Sequence, residues 1–197
     1  GGNVYAAAVV GDAGQKVGVY QWDGQTFAPF VERDVASGGG LASVSLLAVT
    51  ADGDVWVGVR VKDESAPAGR ARGVVMLRAD KPEVVAFHQT VAAVEGAASR
   101  PAPDDLSHID VGEAGFAWFA SLSGAVRIGQ SQVVIFGEAR NVPGEIVSDV
   151  ATTTTGRVWI AASEGFGYFE GSAMHFESPP EVNALRPTAI AVTPSGE

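Results

Sequence analysis

A glycine followed three residues later by a tryptophan recurs along the chain. The step occurs in three places: Gly53 to Trp56, Gly115 to Trp118 and Gly156 to Trp159. The chain ends on a further turn of the same type at Gly196, and the last three of these glycines are about 40 residues apart. A fixed period of this length is the signature of a repeat architecture, in which each unit buries its apolar face against a neighbour.

Each repeat unit is predicted to contain four short strands. Residues 55–59 and 158–162 are nearly continuous apolar runs, and so are residues 4–10 near the start of the chain. Such runs are typical of strands that are covered on both faces, so we expect their tryptophans to be core residues rather than a platform for sugars. The fourth strand of every unit carries an aromatic residue: Phe27 or Phe30, Phe87, Phe136 and Phe176.

This arrangement predicts an all-β fold, a β-propeller with four blade-equivalents that is either a closed small ring or a segment of a larger propeller. The predicted single domain, residues 1–197, has blade units at about 1–31, 43–90, 105–137 and 145–178. Residues 1–30 supply only strands two to four of a blade, and residues 187–193 are predicted to be a lone first strand. Residues 186–197 would then either complete the N-terminal blade or begin another. An unclosed arc would expose strand edges that pair with other chains.

One segment has two interpretations. Val84, Phe87, Val91 and Val94 have the spacing of an apolar helical stripe that ends before Gly96. The repeat instead places a fourth strand at residues 84–88, where β-branched residues also favour a strand. We expect the strand.

Residues 47–58 have the sequence Leu-Ala-Val-Thr-Ala-Asp-Gly-Asp-Val-Trp-Val-Gly. They resemble the two-component regulator propeller repeat, in which an apolar strand, a turn with Asp and Gly and a Trp-bearing strand precede a fourth strand that ends on Phe. The first unit departs from this pattern with Tyr5 in place of Trp, and the third lacks the Asp before Gly115. The resemblance implies a propeller domain of a bacterial sensor or secreted protein, located in the periplasm or outside the cell, and it implies no active site.

The chain is acidic, with 13 basic and 23 acidic side chains and a net charge of −10. This charge argues against nucleic acid or an anionic membrane surface as the main partner. The chain has no cysteine, which excludes disulfides, cysteine metal sites and a thiol nucleophile. No apolar run reaches the roughly 18 residues that a membrane-spanning helix needs, so membrane insertion is not expected.

The candidate binding residues are basic side chains in a long hairpin insertion together with one aromatic residue beside a turn: Arg60, Lys62, Arg70, Arg72 and Trp22. Six of the 13 basic residues lie between positions 60 and 81. Because loops on a rigid scaffold commonly carry binding function, this insertion is a candidate contact surface for an acidic partner or ligand. The alternative is a solvated hairpin tip that binds nothing.

No motif predicts catalysis, a metal site or a cofactor. The histidines, His88, His108 and His175, are not expected to converge on a metal. The aspartates lack calcium-loop spacing, residues 38–40 lack the lysine of a phosphate loop, and no serine lies in a nucleophile elbow. An active site in a central funnel would have to be built from few titratable groups: Asp52, Asp54, Glu113 and Arg157.

The function that the sequence favours is therefore a non-enzymatic binding or scaffolding domain, which holds a protein or small-molecule ligand at one rim of the propeller. A propeller lyase or hydrolase with a central-funnel site is one alternative. Another is a half-propeller that assembles edge to edge with a second copy. These predictions also fit a chain that continues into a larger protein.

Overall fold

The structure is a computed structural model that describes residues 3–11, 16–34, 41–61, 73–78, 80, 86–89, 106–112, 116–129, 133–137, 141–177 and 186–193. These residues contain fifteen strands and no helix. All strands pair antiparallel, in four sheets of three or four strands. The expectation of an all-β chain is confirmed. The chain divides into two compact units, Gly1–Val91 and Ala92–Glu197.

The first unit contains two sheets. Sheet 1 has the strand order β1-β2-β3, with β1 (Tyr5–Val10), β2 (Lys16–Trp22) and β3 (Phe27–Asp34). Sheet 2 has the order β4-β5-β6-β7, with β4 (Leu41–Val49), β5 (Asp54–Val61), β6 (Gly73–Arg78) and β7 (Ala86–Gln89). The three strands expected in the first thirty residues are confirmed. So is a strand rather than a helix at residues 86–89, while residues 81–85 lie outside the described residues.

The second unit repeats this organisation. Sheet 3 has the order β11-β10-β9-β8, with β8 (His108–Val111), β9 (Ala117–Ser121), β10 (Gly124–Ile128) and β11 (Val133–Phe136). Sheet 4 has the order β12-β13-β14-β15, with β12 (Val147–Thr152), β13 (Val158–Ala162), β14 (Gly165–Glu170) and β15 (Ala173–Glu177). Within each sheet, consecutive strands are therefore hydrogen-bonded neighbours.

Within each unit one sheet packs face to face on the other. The core of the first unit consists mainly of valines, including Val17 and Val19 from sheet 1 and Val55, Val57 and Val59 from sheet 2, all fully buried. β-branched side chains suit this position because they pack well on a pleated surface. A sheet with one apolar face must bury that face against another element, so each pair of sheets depends on this shared apolar layer.

The core of the second unit is built around three aromatic rings. Trp118 and Phe136 from sheet 3 have ring centroids 5.2 Å apart, and Phe169 from sheet 4 lies 5.2 Å from Trp118 and 4.7 Å from Phe136. Each ring is at least 95% buried. Rings in such arrangements contribute about 0.5–1.5 kcal/mol per pair beyond the area that they bury.

The expectation that the apolar strands are covered on both faces holds for β5 and β9. Their described side chains are buried, including Trp56 and Trp118. It is wrong for residues 4–10, because β1 is the edge strand of its sheet and is only half-buried. It is also wrong for Trp159. That side chain lies on the face of sheet 4 opposite to Val158, which contacts the sheet 3 core, and it is half-buried.

A serine occupies the same position of the repeat in three sheets, within the first strand of sheets 2 and 4 and directly before that of sheet 3. Ser45, Ser107 and Ser148 each lie three residues before the residue that pairs with the tryptophan of the next strand. At Ser45 and Ser148 the register shifts, which marks a β-bulge. The Ser107 N–H and hydroxyl both donate to the carbonyl oxygen of Ala120, at 3.0 and 3.4 Å. The serine and its local departure from regular pairing thus recur with the repeat.

A carboxylate joins the first strands of sheets 3 and 4. Asp110 of β8 accepts the Val111 N–H on Oδ1 at 2.8 Å. Its Oδ2 accepts the backbone N–H of Thr152 at 2.6 Å and the Thr152 hydroxyl at 2.9 Å. Both strands are sheet edges, whose outward N–H groups have no ladder partner, and the carboxylate satisfies one donor on each edge.

The same arrangement recurs one repeat later. Asp149 of β12 accepts the Val150 N–H on Oδ1 at 2.8 Å and the Ile190 N–H on Oδ2 at 2.9 Å. Residues 186–193, which supply Ile190, belong to none of the described strands. No ladder pairs these residues with a described strand, and Asp149 holds the segment to sheet 4, so the first strand expected at residues 187–193 stays a prediction.

For two glycines with positive φ, we expect alanine substitution to lower the stability of the protein by different amounts. A Cβ on Gly124 (φ 119°) would overlap the carbonyl oxygen of Phe136, whereas a Cβ on Gly156 (φ 81°) would meet open space. We expect Gly124→Ala to lower the free energy of unfolding by more than about 3 kcal/mol and Gly156→Ala by only about 1 kcal/mol. Urea titrations of both variants measure this, and equal losses would contradict the steric difference.

Asp110 bridges β8 and β12, so we expect even a substitution that barely changes its shape to destabilise the protein. Asp110→Asn replaces one of two required acceptor oxygens by an NH₂ group that faces a backbone donor, so we expect a loss of about 1–3 kcal/mol in the free energy of unfolding. Asp52→Asn makes the same chemical change at an exposed turn residue and should leave the melting temperature unchanged. Equal melting temperatures for the two variants would show that the bridge contributes nothing.

Candidate functional site

Two openings between paired sheets are the candidate sites. The unit 1 opening, about 540 Å³, lies between sheets 1 and 2 and is lined by Asn3, Tyr5, Gln21, Phe30 and residues 49–53. The unit 2 opening, about 130 Å³, lies between sheets 3 and 4 and is lined by Gly112, Phe116, Trp118, Arg127, Gly156, Val158, Phe169 and Gly171. Each opening lies within one unit.

The two openings occupy equivalent places in their sheet pairs. In the unit 1 opening, Tyr5 pairs across the sheet with Gln21, and in the unit 2 opening Trp118 pairs in the same way with Arg127. The opposite wall contains in each case the first turn of the following sheet, at Gly53 or at Gly156. Each opening therefore lies between the first turn of one sheet, sheet 2 or sheet 4, and the equivalent cross-strand pair of the sheet before it.

The first turns of sheets 2 and 4 share one hydrogen-bond pattern. In sheet 2, the Asp54 N–H donates to the Thr50 hydroxyl at 2.9 Å and the Thr50 N–H donates to the Asp54 carbonyl at 2.9 Å. In sheet 4, the Arg157 N–H donates to the Thr153 hydroxyl at 2.9 Å and the Thr153 N–H donates to the Arg157 carbonyl at 2.8 Å. These turns form one wall of each opening and are fixed by their own polar groups.

Asp54 begins β5 beside the unit 1 opening, and its carboxylate is incompletely compensated. Its Oδ1 lies 3.0 Å from the Arg78 Nε, yet it accepts no hydrogen bond, because the single Nε hydrogen is directed at Asp80 Oδ1, 3.1 Å away. Burial therefore raises the pKa of Asp54 above its ordinary 3.8, and the Arg78 charge opposes the rise only in part.

Arg127 is the distinctive side chain of the unit 2 opening. Its guanidinium carbon lies 5.0 Å from the ring centroid of Phe116, 5.8 Å from that of Trp118 and 5.7 Å from that of Phe136. Its Nε is buried and has no hydrogen-bond partner. The Phe116 ring rests on Gly129, where an added Cβ would come within 2.6 Å of a ring carbon.

The sequence did not single out Arg127, Gln21 or Tyr5 as binding residues. Their grouping depends on cross-strand register, which a linear pattern does not reveal. A signal for the walls was present, because both described first turns have the sequence Thr-x-x-Gly, at residues 50–53 and 153–156.

The predicted binding residues lie elsewhere or outside the described residues. Trp22 ends β2, is 39% exposed and packs against Phe27 with ring centroids 5.1 Å apart, and it does not line either opening. Arg60 lies in the strand β5, where only its backbone is described. Lys62, Arg70 and Arg72 lie outside the described residues. Binding at these five residues stays a prediction.

The described residues hold no group of three or more metal-ligating side chains that could bind a metal ion. His175 lies on β15, stacked on Tyr168 with ring centroids 4.9 Å apart, and His108 begins β8 at the surface. For His88 only the backbone, in β7, is described. Nor do the described parts of the chain include a helix with the length and hydrophobicity that crossing a bilayer requires.

The raised pKa of Asp54 predicts the pH dependence of stability. Because the folded protein holds this proton more tightly than the unfolded chain, the Asp54 contribution to stability falls as the pH rises through the folded-state pKa. Asp54→Asn cannot ionise, so we expect it to be more stable than the parent at pH 7 and equal to it near pH 3. Urea unfolding at both pH values measures the difference. A variant that is less stable at pH 7 would show that the Arg78 attraction outweighs the burial.

No family model and no curated protein matches the chain. Solved structures do. The extracellular domain of BT3049, assigned as a hybrid two-component system of B. thetaiotaomicron, superposes with a TM-score of 0.53 at 16% identity over 92% of this chain and 24% of that one. PorZ, a surface component of the type-IX secretion system of Porphyromonas gingivalis, superposes with a TM-score of 0.55 at 13% identity over 96% of this chain and 29% of that one. The chain thus spans about a quarter of the length of these neighbours, and it shares their fold over that length.

Proposed function

We propose that the four sheets are consecutive blades of a β-propeller of the two-component regulator type. In this proposal the domain binds a ligand without catalysing a reaction, as part of a bacterial sensor or surface protein outside the cytoplasm. The observation that carries the binding function is the pair of register-equivalent openings, each with an aromatic side chain and a polar cross-strand partner. A site on rigid strands holds its groups more precisely than a site on loops.

The blade arrangement is supported by the repeat and by packing. The Gly-to-Trp step recurs in successive sheets, and within each unit one sheet covers the next through apolar faces. Stacking of four-stranded antiparallel sheets with a period of about 40 residues is the way propellers are built. The location outside the cytoplasm rests on the likeness to an extracellular domain and to a surface component, and on the repeat resemblance.

The partner that fits the openings is a small molecule or one side chain or end of a protein ligand. The unit 1 opening offers the Tyr5 hydroxyl, the Gln21 amide and the Asp52 carboxylate around an aromatic wall. Apolar walls with a few polar groups are typical of ligand pockets. The net charge of −10 opposes nucleic acid as the partner.

Light scattering distinguishes a monomer from the edge-to-edge pairing of two copies.

A thermal-shift screen tests the binding function. The panel contains monosaccharides, amino acids, organic acids and short peptides. A ligand present at ten times its Kd adds about 1.4 kcal/mol of stability, which corresponds to a rise of about 3–6 °C in melting temperature for a chain of this size. We expect at least one compound to produce such a rise.

The double variant Gln21→Met/Arg127→Met provides the matched comparison. Methionine is the natural residue at the equivalent position of sheet 2, where Met76 pairs with Trp56 and is fully buried, so the exchange alters both openings with little strain. The thermal shift should be lost in the double variant and kept in Leu122→Ala, a half-exposed turn residue that lines neither opening. Equal shifts in parent and double variant, or no stabilising compound, would contradict the proposed site.

A further inference from the structure

Arg127 carries a positive charge into the wall of an otherwise apolar opening. Trp118, Val158 and Phe169 line the same opening and are at least 95% buried. Arg127 is half-buried and its Nε is fully buried, and withdrawing part of a charged group from water is costly unless an opposite charge or a hydrogen-bond acceptor accompanies it. The aromatic faces around Arg127 offset part of that cost, because a guanidinium is attracted to the face of a ring.

The donors of this guanidinium are not used within the described residues. The buried Nε has no acceptor, and none of the described carboxylates forms an ion pair with Arg127. By contrast, Arg78 pairs with Asp54 and Asp80, and Arg157 pairs with Glu170 at 3.3 Å. A buried polar group that lacks a partner calls for an explanation, and a bound ligand is one that this opening has room for.

We propose that the unit 2 opening binds the carboxylate of a small molecule or of a peptide end, with Arg127 as the group that receives it. A guanidinium presents a planar fork of N–H donors that matches a carboxylate, and such charge-assisted bonds are the strong ones. The body of the ligand would lie against Phe116 and Trp118. This inference rests on the proposed binding function and narrows it to one chemical class.

The size and shape of the opening define the probe. A cavity of about 150 Å³ holds one benzene molecule, and this opening measures about 130 Å³. The opening therefore has room for most of one planar ring and for no larger group, and benzoate is the simplest carboxylate on a single ring. Benzamide has nearly the same shape but no charge, so the difference between the two isolates the contribution of the carboxylate.

The surrounding chain holds Arg127 in place for this role. Arg127 is on β10, directly paired with Trp118 on β9, and Phe116 lies over it because Gly129 has no side chain to push the ring away. The opposite wall includes Gly156 and Gly171, where an added Cβ would meet only open space. The guanidinium is thus enclosed on one side by rings, while bare backbone leaves the other side open for a ligand.

The test is a titration of the whole chain with benzoate and with benzamide, followed by the NMR signal of the Trp118 indole N–H and by calorimetry. Trp118→Phe identifies the signal among the four tryptophans. We expect saturable benzoate binding with a Kd of about 1 mM, the range that nine non-hydrogen atoms allow. Benzamide should bind at least tenfold more weakly.

Variants of Arg127 complete the test. Arg127→Met should weaken benzoate about tenfold and leave benzamide unchanged, and Arg127→Lys should fall between, since it keeps the charge but not the planar fork. N-acetyl-phenylalanine represents a peptide end: binding of benzoate alone indicates a free acid as ligand, and binding of both indicates that a peptide terminus also fits. Circular dichroism and thermal unfolding confirm that each variant is folded.

Three outcomes would overturn the inference: no saturable benzoate binding at 20 mM, equal binding of benzamide, or benzoate binding that Arg127→Met does not weaken. These outcomes are separable from failure of the proposed function. Should other compounds of the panel stabilise the parent through Gln21 or Arg127 while benzoate does not bind, the domain is a binding domain and the carboxylate assignment alone is wrong.

Discussion

The structure depends on the burial of one sheet face against the next. A sheet with one apolar face leaves that face in water unless another element covers it. In both units the missing burial comes from the neighbouring sheet, through valines in the first and through Trp118, Phe136 and Phe169 in the second. Stability is therefore shared between sheets, and a change that separates two of them removes the core of both.

Face-to-face packing leaves the sheet edges to be satisfied separately. The first strand of each sheet is an edge, and its outward backbone groups have no ladder partner. In the second unit Asp110 and Asp149 accept backbone N–H groups from the next strand or segment. The serine at 45, 107 and 148 adds a local departure from regular pairing in, or directly before, the first strands of sheets 2 to 4. The sheets are thus joined by apolar faces and, in the second unit, by carboxylates along the first strands.

The sequence contained the strands and the turns but not the whole pattern of burial. The Gly-to-Trp step correctly located β5, β9 and β13, because a turn glycine and an apolar strand are local properties of a sequence. Two of these glycines, Gly53 and Gly156, have positive φ. The burial of β1 and of Trp159 was predicted wrongly. It depends on which sheet packs against them and on whether the strand lies at an edge, and the local sequence shows neither. The serine and the Thr-x-x-Gly turns repeat visibly in the sequence. Their structural roles can be assigned only once the pairing register of the strands is known.

The residues of the candidate site were not predicted from the sequence for a related reason, and that reason bears on function. The residue that pairs with Tyr5 in sheet 1, or with the repeat tryptophan in the other sheets, is Gln21 in sheet 1, Met76 in sheet 2, Arg127 in sheet 3 and Tyr168 in sheet 4. Four chemically different side chains occupy one position of the repeat, so the fold does not require any one of them. Where packing leaves a position unconstrained, its chemistry is available for recognition. A buried methionine there completes a core, whereas an arginine there, among aromatic rings and beside a cavity, gives one sheet pair an electrostatic preference that the repeat itself does not supply.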